Sequence, residues 1–565
     1  MKKYILPLLT VFLLLSFSSG WAQTDQDFRQ KPPEPGPAPE IQLGDYETFT
    51  LDNGLTVIVV ENHELPVVTF QLLLDLPPVT EGEYAGVSEM AGNLLKTGTT
   101  TMSKAEIDEA VDFTGATFFT SAQGMYGSTL TKHRKKLLEV MRDVLLNPVF
   151  PQEELEKVKL QTLSALEQAK EDPNAIASNV SKVLRYGKDH PYGELVTEET
   201  VERIDREQVR QYYQNYFVPG AACLAIVGDI SPKEARDAAS EYFGGWKKGI
   251  LPESEFVEAE RPERRQVAVV DKTGAVQSVI NITYPVNLKP GAEDAIPAQL
   301  MNTLLGGGGF FGSRLIQNLR ETKGYTYGAY SSLSADQYEG YFNAGASVRN
   351  QVTDSAVAQF LHEMQRIASQ EVTESELQQV KSVMAGKFAR SLEDPETVAR
   401  FALNIARYDL PEDYYASYLQ KIEAVSAEDV KRVARKYITP EKAWVVVVGN
   451  RDEIADKLRQ FSADGEVGFY SPFGEPVQPA TGYTGDMTAE EVINNYLAAI
   501  GGRGQLQNVQ SISRVMEATT PMGKINMTLK QKAPGMLSQT MEAQGMTVME
   551  MKYDGEQGQI TQMGQ

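Results

Sequence analysis

Residues 206–229 read REQVRQYYQNYFVPGAACLAIVGD, and residues 427–450 read AEDVKRVARKYITPEKAWVVVVGN. Glu207, Val209, Tyr216, Pro219 and Gly228 recur as Glu428, Val430, Tyr437, Pro440 and Gly449, each displaced by 221 residues. Each phrase spells a helix, a Tyr-x-x-Pro connection and a buried strand, Cys223 to Val227 or Trp444 to Val448, ending in Gly-Asp or Gly-Asn. Upstream, Glu171-Asp172-Pro173 matches Glu393-Asp394-Pro395 at a displacement of 222. So many matches at one spacing mark an internal duplication. The fold class is α+β, with two homologous tandem α/β sandwich halves.

Working outward gives the domain plan. The halves are expected over 46–249 and 264–461. Ile250 to Glu263, with two prolines and five glutamates, is the linker between them. The first half opens with Phe49 to Val60, which reads as two strands around the Asn53-Gly54 turn. A strand over Val67 to Leu76 and helices through Met90, Ile107, Lys136 and Glu153 follow. Proline-rich sequence near Tyr470 to Pro479 sets a second linker over 462–485. Residues 486–565 carry a capped amphipathic helix, Thr488 to Ile500, and four alternating segments that begin at Ser511, Lys524, Met536 and Val548. This helix-and-antiparallel-sheet segment has the look of an incomplete domain.

The N-terminus reads as an export signal. Lys2 and Lys3 precede an apolar run from Tyr4 to Phe17, too short for the roughly 20 residues of a membrane span. Small residues up to Ala22 suit cleavage, so residues 1–23 are assigned as a signal peptide and 24–45 as a proline-rich linker. The expected location is the periplasm, with no transmembrane segment after cleavage. A formal net charge of -22 argues against nucleic-acid binding, which needs a basic face. The single Cys223 excludes an intramolecular disulfide and any cysteine-rich metal site. Only four histidines occur, His63, His133, His190 and His362, and no two lie within a helical turn of each other. Each is expected to be a surface residue.

From about Asp45 to Phe461 the chain resembles the pitrilysin/insulinase family of zinc peptidases. The resemblance rests on Leu51-Asp-Asn-Gly-Leu-Thr-Val57, on Gly86-Val-Ser-Glu-Met-Ala-Gly-Asn-Leu-Leu-Lys-Thr-Gly-Thr99, on Asn147-Pro-Val-Phe150, and on Leu319-Arg-Glu-Thr-Lys-Gly-Tyr-Thr-Tyr327. Active members carry His-x-x-Glu-His on a helix, with a glutamate on a second helix as the third zinc ligand. Aligned on Gly86 and Gly98-Thr99, that motif falls on Glu89, Gly92 and Asn93, and the third ligand near Ser164 or Ala165. All three ligands and the general base are replaced. The resemblance therefore implies a chain that binds no cofactor itself. The C-terminal half keeps the Arg and Tyr, seven residues apart, with which the family holds substrate and stabilises the oxyanion. They stand here as Arg320 and Tyr327.

The family has a split form, with zinc on one chain and the Arg-Tyr pair on its sister. The chain is thus expected to be the non-zinc subunit of a heterodimeric metallopeptidase, with a zinc-bearing sister and a peptide substrate as partners. Arg320 and Tyr327 are assigned catalytic and substrate-binding roles in trans. Two alternatives stay open: a binding protein that holds peptides or envelope proteins without cleaving them, and a lipid or lipoprotein handler. The second draws on a weak C-terminal resemblance to lipoprotein-carrier half-barrels, where methionines are dense. The Gly306–Gly309 run lacks the residues of a phosphate-binding loop and is read as a hinge or a close backbone approach.

Overall fold

A computed structural model describes residues 45–254, 257–478, 488–520, 523–543 and 545–562. The expected signal peptide, 1–23, and all but the last residue of the expected first linker, 24–45, lie outside the described residues. The chain divides into two units, 1–478 and 479–565.

The first unit contains two six-stranded sheets. In chain order the first sheet uses β1 (Glu47–Thr50), β2 (Thr56–Glu61), β3 (Val67–Leu74), β4 (Thr117–Ser121), β5 (Gly124–Leu130) and β6 (Ala222–Gly228), in the spatial order β1-β2-β6-β3-β5-β4. The second uses β7 (Gln266–Asp271), β8 (Gln277–Val286), β9 (Ala329–Ser334), β10 (Gly340–Arg349), β11 (Trp444–Gly449) and β12 (Val467–Phe469), in the order β12-β7-β11-β8-β10-β9. Five strands correspond one to one. The two 221-spaced phrases land on equivalent elements, helix Arg206–Tyr216 with β6 and helix Ala427–Tyr437 with β11. The 222-residue displacement carries helix Gln152–Ala169 onto Glu374–Ser391 and helix Pro173–Tyr186 onto Pro395–Tyr408, end to end.

The halves differ at one edge. β1 pairs antiparallel with β2 across the Asn53-Gly54 turn, whereas β12 pairs parallel with β7. β12 corrects the linker expected over 462–485, because the second sheet continues to Phe469 and Tyr470 bridges to Pro476 beyond it. Three residues among glycines and prolines give too little period-two pattern to read as a strand.

Each half lends a helix to the other. Alternate residues of a strand point to opposite faces, and both faces of the central strands are buried. In β2, Val57 and Val59 enter the core of their own half. Ile58 and Val60 point the other way, onto Val398, Ala399 and Ala402 of helix Pro395–Tyr408. The reciprocal set is Ala268 and Val270 of β7 with Val446 and Val448 of β11, packed on Ile176, Ala177 and Val180 of helix Pro173–Tyr186. This exchange explains why these strands read as continuous apolar runs rather than alternating ones. Polar contacts reinforce it. Buried Arg185 donates to Thr283 Oγ1 at 2.7 Å and lies 4.1 Å from the Tyr341 ring centroid. His190, expected at the surface, is 3% exposed and stacks on Tyr186 at 5.1 Å. Burial lowers its pKa.

The second unit is a five-stranded antiparallel meander, β13 (Ser511–Thr520), β14 (Gly523–Lys532), β15 (Met536–Ala543), β16 (Met546–Tyr553) and β17 (Gly558–Gln562), with helices Ala489–Ala499 and Gly502–Gln507. β17 adds to the four strands expected. Its only apolar residue is Ile560, so no alternation marks it.

Candidate functional site

The motif helix spans Val87–Leu94. Gly86 precedes it with φ 102, a left-handed conformation that glycine adopts without steric cost. Glu81 caps the helix, accepting from Gly86 N at 2.6 Å and Ser88 N at 3.3 Å. Val87, Met90, Ala91 and Leu94 face the core, which leaves Glu89 and Asn93 exposed on the face where zinc ligands would stand. The motif helix packs against helix Gln152–Ala169. Ser164 and Ala165 there are exposed, and the Ser164 hydroxyl turns back to Leu160 O at 2.8 Å.

Gly92 decides the chemistry. A Cβ built there would stand 2.1 Å from both Ala122 N and the Ser121 carbonyl carbon, at the turn joining β4 to β5. Backbone fills the space a catalytic glutamate would need. Beside this helix lies a cleft of about 520 Å³, lined by Glu89, Tyr192, Glu194, Tyr212 and Arg407 among others. Glu194 accepts from Glu81 N at 2.9 Å and Gly82 N at 2.6 Å, and burial raises its pKa. Arg407 pairs with Asp75 at 2.6 Å, tying the exchanged helix to the end of β3.

No other set of donors substitutes. His63 Nδ1 lies 2.6 Å from Asp229 and Nε2 lies 2.8 Å from Glu61. The carboxylates engage opposite ring nitrogens, so the three groups cannot converge on one ion. Both partners raise the histidine pKa, Asp229 most strongly. Burial pushes the Cys223 thiol up to about 12, far from thiolate. Among the described residues no group of three or more His, Cys, Asp or Glu could hold a metal ion.

Arg320 lies in a π-helical segment, Ile316–Thr322, anchored by fully buried Leu319. Its side chain is 38% exposed, 3.4 Å from Glu321 and 5.3 Å from the Phe311 ring centroid. The chain then folds back, with Tyr325 N donating to Leu319 O at 2.9 Å and Thr326 Oγ1 to Gly328 O at 2.8 Å. This turn leaves Tyr327 94% exposed, its hydroxyl without a hydrogen bond among the described residues. Arg320 and Tyr327 are not among the residues lining the cleft beside Glu89.

Two family models match the chain. Residues 56–188 match the insulinase family, peptidase family M16, and residues 203–384 match the peptidase M16 inactive domain. Together they span more than half the sequence. The chain belongs to the M16 peptidase family. Among M16-type relatives, the uncharacterized zinc protease YmxG of Bacillus subtilis is 25% identical, over 71% of this chain and 97% of its own length. The non-peptidase homolog YmxG of Helicobacter pylori is 20% identical, over 70% and 92%. The crystal structure of a peptidase M16 inactive domain from Pseudomonas fluorescens superposes with a TM-score of 0.65 at 23% identity, covering 72% of this chain and 98% of that one. A protease from Helicobacter pylori superposes at 0.64, with 19% identity and coverage of 72% and 100%. These structures share the fold of the two halves.

Within M16 this chain is of the non-catalytic type, and the residues that the resemblance sets at the metal positions do not fit zinc. One carboxylate, Glu89, and one amide, Asn93, flank a position that has no room for a side chain. The loss of the ligands is an expectation drawn from the sequence, where the resemblance sets Glu89, Gly92 and Asn93 at the motif positions. The backbone lying over Gly92 was not legible there, although a glycine inside an otherwise regular helix is the mark of a close approach. The Glu81 cap and the half-buried Glu194 also gave no sequence signal. Gly306, by contrast, is a close approach as expected: a Cβ there would meet Ser331 N at 2.8 Å.

Proposed function

We propose that this chain is the non-zinc subunit of a heterodimeric M16 peptidase. Arg320 and Tyr327 complete the site carried by a zinc-bearing chain of the same family. The observation that carries this reading is the contrast between the two halves. Backbone closes the first half's catalytic position at Gly92, while the second half leaves Tyr327 exposed and Arg320 half-exposed. A guanidinium and a phenol are both donors. Aimed at a peptide carbonyl, they stabilise the negative charge that grows on its oxygen as water attacks the carbon. The surface pair with Glu321 is worth at most about 1 kcal/mol and yields readily to a substrate.

The subunit is placed in the periplasm on the strength of Lys2, Lys3, the apolar run from Tyr4 to Phe17 and Ala22. Among the described residues no helix is long and apolar enough to cross a membrane. The test is metal content and peptide turnover of the purified chain, measured alone and after mixing with the zinc-bearing chain. Alone it should hold well below one zinc per chain and hydrolyse nothing; near-stoichiometric zinc with turnover would sink the proposal.

A further inference from the structure

The duplication places a second feature at the pseudo-symmetric position. Leu94-Leu95 of the motif helix and Leu304-Leu305 of helix Ala295–Leu305 align at a displacement of 210, which sets Gln299, Asn302 and Thr303 at the counterparts of Glu89, Gly92 and Asn93. Helix Ala295–Leu305 packs on Glu374–Ser391 as the motif helix packs on Gln152–Ala169. The displacement of 222 then makes Lys387 the counterpart of Ala165. Where the first half closes on Gly92, the second half opens a cavity of about 410 Å³, within the range of about 300–1,000 Å³ of small-ligand sites.

Its walls are aromatic. Phe388 and Tyr418 lie 4.5 Å apart, and Phe401 stacks on Tyr415 at 3.7 Å with an interplanar angle of 4°. Gln299, Thr303, Lys387, Ser391 and the tyrosine hydroxyls supply its polar groups. Tyr418 donates to Gln299 Oε1 at 2.8 Å, a bond that uses the amide oxygen and not its N–H groups. Lys387 donates to Gly308 O, so its ammonium is held at the edge of the cavity. Among the described residues it is the only charged one lining the cavity, and none of the lining residues is a carboxylate, in a chain whose net charge is -22.

We propose that this cavity receives the free C-terminus of a peptide ending in an aromatic or large apolar residue. The terminal side chain rests against the wall formed by Phe388, Phe401, Tyr415 and Tyr418, and the carboxylate pairs with Lys387. Gln299 donates to the terminal backbone. A single lysine suits a monoanion, which it meets as a point charge. This inference stands whether or not Arg320 serves a partner's site, and its test uses no turnover.

The test is calorimetric titration of the full chain with acetyl-Ala-Ala-Phe as the free acid and as the amide. The acid is expected to bind about 10-fold more tightly, the scale of one charge-assisted hydrogen bond. Because Lys387 is exposed, Lys387→Met should fold normally, bind the amide unchanged and lose the preference for the acid, while Lys387→Arg keeps it. Replacing the terminal Phe by Gly should weaken binding by about 10-fold or more through lost apolar burial. Absence of binding, equal affinity for acid and amide, or a preference that survives in Lys387→Met each overturns the proposal.

Discussion

Arg320→Ala is expected to lower peptide turnover by the two-chain complex about 100-fold, the scale of removing one oxyanion donor, while leaving zinc content and assembly unchanged. The prediction separates function from folding because the residue contributes little to the fold. Its side chain is 38% exposed, and among the described residues its ion-pair and ring partners are Glu321, its neighbour in sequence, and Phe311. Truncation therefore opens no cavity, and Leu319, fully buried, still anchors the π-helical segment. Tyr327→Phe is the companion variant, since it removes one hydroxyl from a side chain 94% exposed and disturbs no packing. The effect should fall on kcat more than on KM, because both donors act on charge that develops only in the transition state. Turnover unchanged in both variants would contradict the assigned role and leave the pair as inherited surface.

Restoring the motif should fail for a structural reason. Gly92→Glu is expected to destabilise the first half by about 3 kcal/mol or more, at the upper end of overpacking costs. Any Cβ at this position meets Ala122 N and the Ser121 carbonyl carbon at 2.1 Å, and these are backbone atoms that no rotamer change can move aside. Even Gly92→Ala, which improves helix propensity by about 1 kcal/mol, should lower the denaturation midpoint. Glu89→His with Asn93→His alters only exposed positions and should leave the midpoint nearly unchanged. The triple variant therefore loses stability without gaining a peptidase. A Gly92→Ala chain as stable as the parent would show that the β4–β5 turn moves freely, and the argument from Gly92 would fall.

How far the sequence carries the account depends on the range of the interaction. The duplication was legible because a helix, a Tyr-x-x-Pro connection and an apolar strand repeat at one spacing, and periodicity is a local property of the chain. The exchange of helices Pro173–Tyr186 and Pro395–Tyr408 was not. Continuous apolar runs in β2, β7 and β11 show burial on both faces but not which segment covers the second face. His190 failed as a surface residue for the same reason: its partner Tyr186 lies on the exchanged helix. Short edge strands such as β12 and β17 carry too few residues for a pattern. At the site, residue identity alone gave the expectation that Glu89, Gly92 and Asn93 are no ligand set. The aromatic cavity could not be read, since Gln299, Lys387, Phe401 and Tyr418 come from separate helices.

Native co-purification from the envelope fraction, with the tagged mature chain as bait and mass spectrometry to identify what it retains, tests the central claim most directly. The expected catch is an M16 chain with an intact His-x-x-Glu-His motif at near one-to-one ratio, carrying zinc. Recovery of this chain alone, or with lipoproteins only, would contradict a shared peptidase site.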